Sequence, residues 1–330
     1  MSALLRVPER NGFLIFLLFV TLATLISVAD RAPIHLENSQ RELHLRKHLE
    51  LYVEQVVHHT IPGPFVYRIL MPYTIDAVAQ LVPAFSPVTI DFALKISLLI
   101  VCQVSFFSYT RIFFSSFEAI AGVLWLDLLL GFSLSSIQGP SVIETADVFN
   151  LAIFIMSMIA IIGDSPLLLV SLLFIGTLNR ETTWFVLPIV MINDGVLKKG
   201  PYRSLMAFAA IAIPYFGLRL VIPSASPMWF MTEGIVRNIP FLSDEYTRAA
   251  LSANAHLLIL IAPLVFLAVR KFKDHPQFLR IAVSITPLFI LVHYVTGWII
   301  EARLWMPLFV LLVPLAIDTL RTSDPAGSST

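Results

Sequence analysis

The chain has 330 residues, of which 57% are hydrophobic and 13% charged, whereas soluble domains carry roughly a quarter charged residues and under half apolar ones. So much apolar surface excludes a water-soluble globule, and the balance of 22 basic against 22 acidic residues leaves no polybasic footprint for nucleic acid. The single cysteine, Cys102, lies in an apolar run and excludes both an internal disulfide and a thiolate zinc cluster.

A bilayer core needs about 20 apolar residues per helical crossing. Ten apolar segments follow one another: 12–29, 88–109, 114–134, 148–163, 166–178, 183–193, 204–222, 250–269, 281–299 and 304–320. They predict an all-α, polytopic helical bundle forming a single membrane domain over 1–321, with a disordered polar tail over 322–330. Arg6 and Arg10 precede the first segment, and its apolar run exceeds a secretory signal core, so an uncleaved first span is expected over a cleaved signal ending near Ser27-Val28-Ala29.

Asp30 closes that span and opens an outer loop, 30–87. Within it Leu45, Leu49, Tyr52, Val53 and Val56 fall at helical spacing, with His44, Lys47, His48, Glu54 and Gln55 on the opposite face, the pattern of a helix lying on a membrane surface. Pro62-Gly63-Pro64 ends it. A second weakly apolar stretch, 67–85, carries Arg68, Pro72, Asp76 and Pro83 and is read as another interfacial helix. Asp91 and Lys95, four apart, are expected to neutralise one another, and Asp127 and Arg219 are either buried partners or cavity liners. The segments 166–178 and 183–193 are too short to cross, so Asn179-Arg180-Glu181-Thr182 marks the break of a kinked or re-entrant pair, tolerated only where protein or a wet cavity surrounds it. His44 and His48 read as a solvated helix face, and His293 as a hydrogen-bonded core residue.

Cytoplasmic loops retain Lys and Arg. With both termini inside, the inner loops hold Arg6, Arg10, Arg111, Lys198, Lys199, Arg203, Arg270, Lys271, Lys273, Arg280 and Arg321, and a longer outer length holds fewer basic residues. That orientation, which did not use them, puts Asp30, Glu144, Asp147, Asn179, Arg180, Glu181, Glu301 and Arg303 on one side, the outer one. Ionisable groups at membrane depth cost about 2.5–3.5 kcal/mol each on insertion scales. Their retention is explained either by structural pairing and snorkelling to headgroups, or by an anionic-ligand site. In the second reading Arg68, Arg180 and Arg303 hold phosphate oxygens, a task suited to the bidentate guanidinium fork. No phosphate loop, dinucleotide fingerprint or nucleophile elbow is present.

Three fragments, Gly63-Pro64-Phe65-Val66-Tyr67-Arg68-Ile69-Leu70-Met71-Pro72, Leu178-Asn179-Arg180-Glu181-Thr182 and Glu301-Ala302-Arg303-Leu304-Trp305-Met306-Pro307, resemble bacterial membrane proteins similar to the glycosyltransferase C superfamily. That resemblance implies many spans, a long first outer loop with surface helices, and a polyprenyl-phosphate-linked sugar as donor on the outer face of the inner membrane. It also implies an acid early in that loop acting in catalysis: Asp30, with Glu50 as the later alternative. Arg68, Glu144, Asp147, Asn179, Arg180, Glu181, Glu301 and Arg303 would then serve the substrate, and a divalent metal is allowed but not required. The competing expectations are a transporter or flippase of an anionic or lipid-linked solute, built on the broken pair at Asn179, and a non-catalytic subunit of an envelope-polymer assembly.

Overall fold

The computed structural model describes residues 12, 14, 15, 17–26, 39–61, 65–134, 144–222, 255–296 and 302–321. Among them every regular element is a helix: α1 (Leu17–Ile26), α2 (Ser39–Val57), α3 (Leu70–Leu81), α4 (Pro87–Thr110), α5 (Ser116–Leu134), α6 (Glu144–Ile162), α7 (Pro166–Asn179), α8 (Val186–Val196), α9 (Tyr202–Val221), α10 (Ala255–Arg270), α11 (Gln277–Val283), α12 (Thr286–Thr296) and α13 (Met306–Arg321), with 3-10 turns at Phe65–Tyr67, Glu181–Phe185 and Ala302–Trp305. Of the ten expected segments, six are described as helices long and apolar enough to cross a bilayer: α4, α5, α6, α9, the run Gln277–Val295 and the run Arg303–Arg321. The helix α7 has 14 residues, about 21 Å at the helical rise, short of a hydrocarbon core of about 30 Å. Asp30, Glu301, residues 223–249 and the tail from Thr322 lie outside the described residues.

Contacts group the chain into two compact units. The first comprises Met1–Ser105 and Gly139–Trp229, the second Phe106–Gln138 and Phe230–Thr330.

In the first unit, α6 is the central helix, with 15 buried residues among its 19. It starts four residues earlier than its apolar run predicts, because Glu144 and Asp147 occupy its first turn, where the positive end of the helix dipole favours carboxylates. Pro166 opens α7 at its first position, where the missing N–H costs nothing. Close approach of α6, α7 and the following turn depends on Gly176. A Cβ there would lie 2.8 Å from Ile153 Cγ2 and 2.9 Å from Thr183 Oγ1. The predicted amphipathic helix is present as α2, but its apolar face meets protein. Leu49 and Val53 form a cluster with Ile75 of α3 and Ile90 of α4, while Glu50 and Glu54 are exposed.

At the other end of α6, Arg203 joins three elements. Its guanidinium pairs with both carboxylate oxygens of Asp194 at the end of α8 and donates to Ile161 O at 3.1 Å and Asp164 Oδ1 at 2.8 Å. Ser204 Oγ donates to Asp194 at 3.1 Å, and Lys199 reaches Asp164 at 2.7 Å. Asp164 follows α6 at φ 49°, the left-handed geometry that ends many helices.

The second unit is built around α13, of which 14 residues are buried. It packs against α5, α10 and α11. Gly122 of α5 permits this, since a Cβ there would sit 2.9 Å from Ile317. His293 is a hydrogen-bonded core residue, with Nδ1 donating to Phe289 O at 2.8 Å and its ring stacked on Phe289. Asp127 is buried on α5.

Candidate functional site

Most candidate residues of the first unit converge where α6 begins, α7 ends and α9 ends. The geometry starts with backbone. After Asn179 the chain turns extended at Arg180, φ −161° and ψ 144°, and re-enters a 3-10 turn at Glu181. Side chains satisfy the break. Asn179 Nδ2 donates to Ala146 O at 2.7 Å, Asn150 Nδ2 to Thr182 Oγ1 at 2.8 Å, and Thr183 Oγ1 to Arg180 O at 3.0 Å. The break expected from two short apolar runs is therefore held by amides and hydroxyls from α6 and from the turn itself, as buried irregular backbone requires.

The charges around this break fall into two kinds. Arg180 forms a buried ion pair with Asp147, and Lys95 donates to Glu144 Oε2 at 2.5 Å, almost without solvent contact. Lys95, expected to neutralise Asp91 on its own helix, reaches the first turn of α6. Both pairs fix α4, α6 and the end of α7. Glu181 is different, because two arginines share it. Arg68 approaches Oε2 with Nε at 3.3 Å and Nη2 at 3.2 Å, and Arg219 approaches Oε1 with Nη2 at 3.4 Å. Counting these three side chains, the local charge is positive.

Aromatic rings position the arginines. Val66 and Tyr67 pack with Ile222 just beyond α9, bringing the Tyr67 ring to 4.4 Å from Arg219 Cζ, while Tyr215 lies 3.6 Å from it on the other contact. Arg219 also donates to Tyr215 O at 3.0 Å, a cation at the carbonyl end of α9 where the dipole favours it. Arg68 lies over Phe65 at 4.9 Å. Trp184 meets Tyr215 edge-on at 5.6 Å and Phe208 at 5.9 Å. Cation–π contacts of this kind hold a guanidinium plane in place without consuming its N–H donors.

The Arg68, Glu181 and Arg219 side chains keep 13%, 26% and 14% of their exposure, so the cluster is neither sealed nor free in solvent. Burial pushes the Glu181 carboxyl up, but Arg68, a hydrogen bond from its own backbone, Arg219 and Arg180 outweigh that and hold it below the ordinary carboxylate range. The carboxylate is thus ionised, and it screens only one of two guanidinium charges.

The structure brings together Arg68, Glu144, Asp147, Asn179, Arg180 and Glu181 in the first unit. Glu50 is exposed on α2. Arg303 belongs to the second unit, in the 3-10 turn Ala302–Trp305, which packs on α5 and α13. Asp30 and Glu301 are outside the described residues. Arg219, open between two roles in the sequence, is a principal member of the cluster; its spacing of four from Tyr215 was the available signal. Among the described residues no group of three or more His, Cys, Asp or Glu is arranged to hold a metal ion.

Six helices of spanning length and composition and this buried charge network define the class: an integral membrane protein of all-α architecture with a positively biased polar site. No family model, curated protein or solved structure matches the chain.

Proposed function

We propose that the Arg68–Glu181–Arg219 cluster binds the phosphate of a lipid-linked sugar, and that the protein transfers that sugar to an envelope acceptor on the outer face of a bacterial inner membrane. The observation that carries this reading is the sharing of one carboxylate by two guanidinium groups in a half-open position. An oxyanion entering there gains charge-assisted contacts from two guanidinium groups of which Glu181 neutralises only one charge. Two of the three fragments that resemble the glycosyltransferase C superfamily supply its members, residues 63–72 through Arg68 and 178–182 through Glu181. In the reaction a carboxylate, Asp30 or alternatively Glu50, takes the proton of the acceptor hydroxyl. As the sugar–phosphate bond breaks, charge grows on the departing phosphate, and Arg68 and Arg219 offset it. Arg180, paired with Asp147, contributes by fixing the turn that carries Glu181. The proposed orientation, with both termini cytoplasmic, is supported by the basic loops 197–203 and 270–280.

The test is acceptor-dependent release of polyprenyl phosphate by the purified full-length protein, with Arg219→Ala and Asp30→Asn as variants. Loss of release in both, with folding intact, is the expected result; full turnover in Arg219→Ala removes the site. The break between α7 and α8 favours a second reading, a transporter with its substrate at a discontinuous helix pair. Uptake into proteoliposomes without any covalent product would establish that reading instead.

A further inference from the structure

The loop after α10 holds an arrangement that the proposed reaction does not use. In the stretch 271–276, Phe272, Lys273 and Asp274 are exposed while the His275 imidazole is buried. A loop that leaves a phenyl ring outside and turns an imidazole inward is placing chemistry there, not apolar volume. The ring lands between two acceptors. His275 Nδ1 lies 2.7 Å from Asp318 Oδ2 of α13, and Nε2 lies 3.2 Å from Ala268 O of α10. The side chains retain 1% and 5% exposure.

A backbone carbonyl only accepts, so Nε2 carries a hydrogen. The position of Ala268 matters too. It lies in the last turn of α10, where carbonyls lack helical partners and the helix dipole favours a cation. Thr319 Oγ1 donates to the neighbouring Leu267 O at 2.8 Å, so α13 and the loop together cap that helix end. Nδ1 faces a carboxylate, and a buried carboxylate is stabilised by a donated N–H. Both ring nitrogens therefore face groups that an N–H satisfies.

We propose that His275 and Asp318 form a proton-binding site, in which the ring is held as imidazolium and the bound proton fastens the loop 271–276 and the end of α13 to the last turn of α10. Loss of that proton leaves Nδ1 and Asp318 opposed as two acceptors at 2.7 Å, and the clasp opens. The other charged groups on the elements packed around the pair are Arg270 on α10, Lys271, Lys273 and Asp274 in the loop, Arg280 on α11, Glu118 and the buried Asp127 on α5, and Arg321 on α13. Arg321 approaches Asp318 Oδ1 at 3.6 Å and is half exposed, so it steadies the carboxylate without replacing the ring. Buried acid–histidine pairs in membrane proteins are a common basis for proton-linked behaviour, and His is the side chain whose charge changes most readily near neutrality.

The experiment is nitrogen-15 NMR of histidine-labelled full-length protein in detergent micelles at about pH 6, with the His275 signal assigned by its loss in His275→Gln. Two protonated ring nitrogens are expected in the wild type. In Asp318→Asn the ring should shift to the neutral form protonated at Nε2, and trypsin cleavage after Lys271 and Lys273 should rise several-fold over wild type at the same pH. A neutral wild-type ring, an Asp318→Asn ring that stays doubly protonated, or equal cleavage of the two proteins overturns the proposal. Should Asp318→Asn not fold, the wild-type spectrum alone decides.

Discussion

Two charge clusters of the first unit, built from the same residue types, are put together differently. Around Arg203, two carboxylates and a backbone carbonyl face one guanidinium, which meets Asp194 with two nitrogens and Asp164 and Ile161 O with a third. Lys199 adds the second cation, and its hydrogen bond, with its own and the Arg203 charge, outweighs slight burial and keeps the Asp164 carboxyl below its ordinary range. Two acids meet two bases, every fork position of the arginine has a partner, and the cluster ties α6, α8 and α9. Around Glu181 the stoichiometry reverses, with two guanidinium groups on one carboxylate at 3.2–3.4 Å and arene faces beneath the arginine planes. Longer contacts, unmatched charge and residual exposure are poor ways to hold helices together and good ways to receive an anion. Balance marks the structural end, imbalance the end proposed to take a ligand.

The largest expected effect breaks the balanced cluster. Arg203→Ala strands Asp194, and removing one partner of a buried pair costs about 3–5 kcal/mol; thermal unfolding of the purified protein should show a marked drop, with no folded fraction that retains normal turnover as a lesser consequence. If its unfolding temperature is unchanged, the clamp at the base of α6 is not what joins α8 and α9. Next in size is Arg219→Ala, where the difference between the clusters is put directly to the test. Losing one preorganised cation on a developing anion lowers turnover by about 100-fold, while unfolding should move far less than for Arg203→Ala. A variant that instead unfolds as readily as Arg203→Ala would show that Arg219 is a clamp as well.

How much of this was legible beforehand depends on the range over which each signal acts. The helices α4, α5, α6 and α9 follow from runs of apolar residues, a local signal, and the break at Asn179 follows from two runs too short to span. The first turn of α6 lies ahead of the apolar run because Glu144 and Asp147 interrupt the apolar count, although acids are what a helix start prefers. Pairings were harder. Lys95 has an acid one turn away on its own helix, and nothing in its neighbourhood points to Glu144, 49 residues on. The amphipathic stripe of α2 gives the phase of its buried face but not what covers it, since periodicity reports that a face is covered and not by what. Arg219 and His275 were hidden for the same reason, their meaning residing in Glu181 and Asp318, which come from elsewhere in the chain.

A smaller effect sharpens the comparison from the backbone side. Gly176→Ala leaves every charge in place but drives a methyl to within 3 Å of Ile153 and Thr183. Overpacking of this kind costs about 1–3 kcal/mol, and it pushes the Glu181 turn away from α6. Binding of a phosphate-bearing lipid should weaken together with stability, whereas a stability loss without any change in binding would mean that the turn does not position the cluster.

The smallest effect is read through pH. Because the folded Glu181 carboxyl sits below its ordinary value of 4.5, its ionised form binds Arg68 and Arg219 better than it is solvated in the unfolded chain. The linkage sign follows: this stabilisation is fully present above the unfolded carboxyl's titration and disappears as pH falls through the depressed folded value. Wild type and Glu181→Gln should therefore differ in unfolding temperature by a constant amount near neutrality and converge only in acid. The same protonation frees both guanidinium groups, so Glu181→Gln at neutral pH should bind a phosphodiester lipid more tightly than wild type does. Weaker binding by Glu181→Gln would mean that the carboxylate serves the ligand rather than competing with it, and the positive imbalance would no longer account for the site.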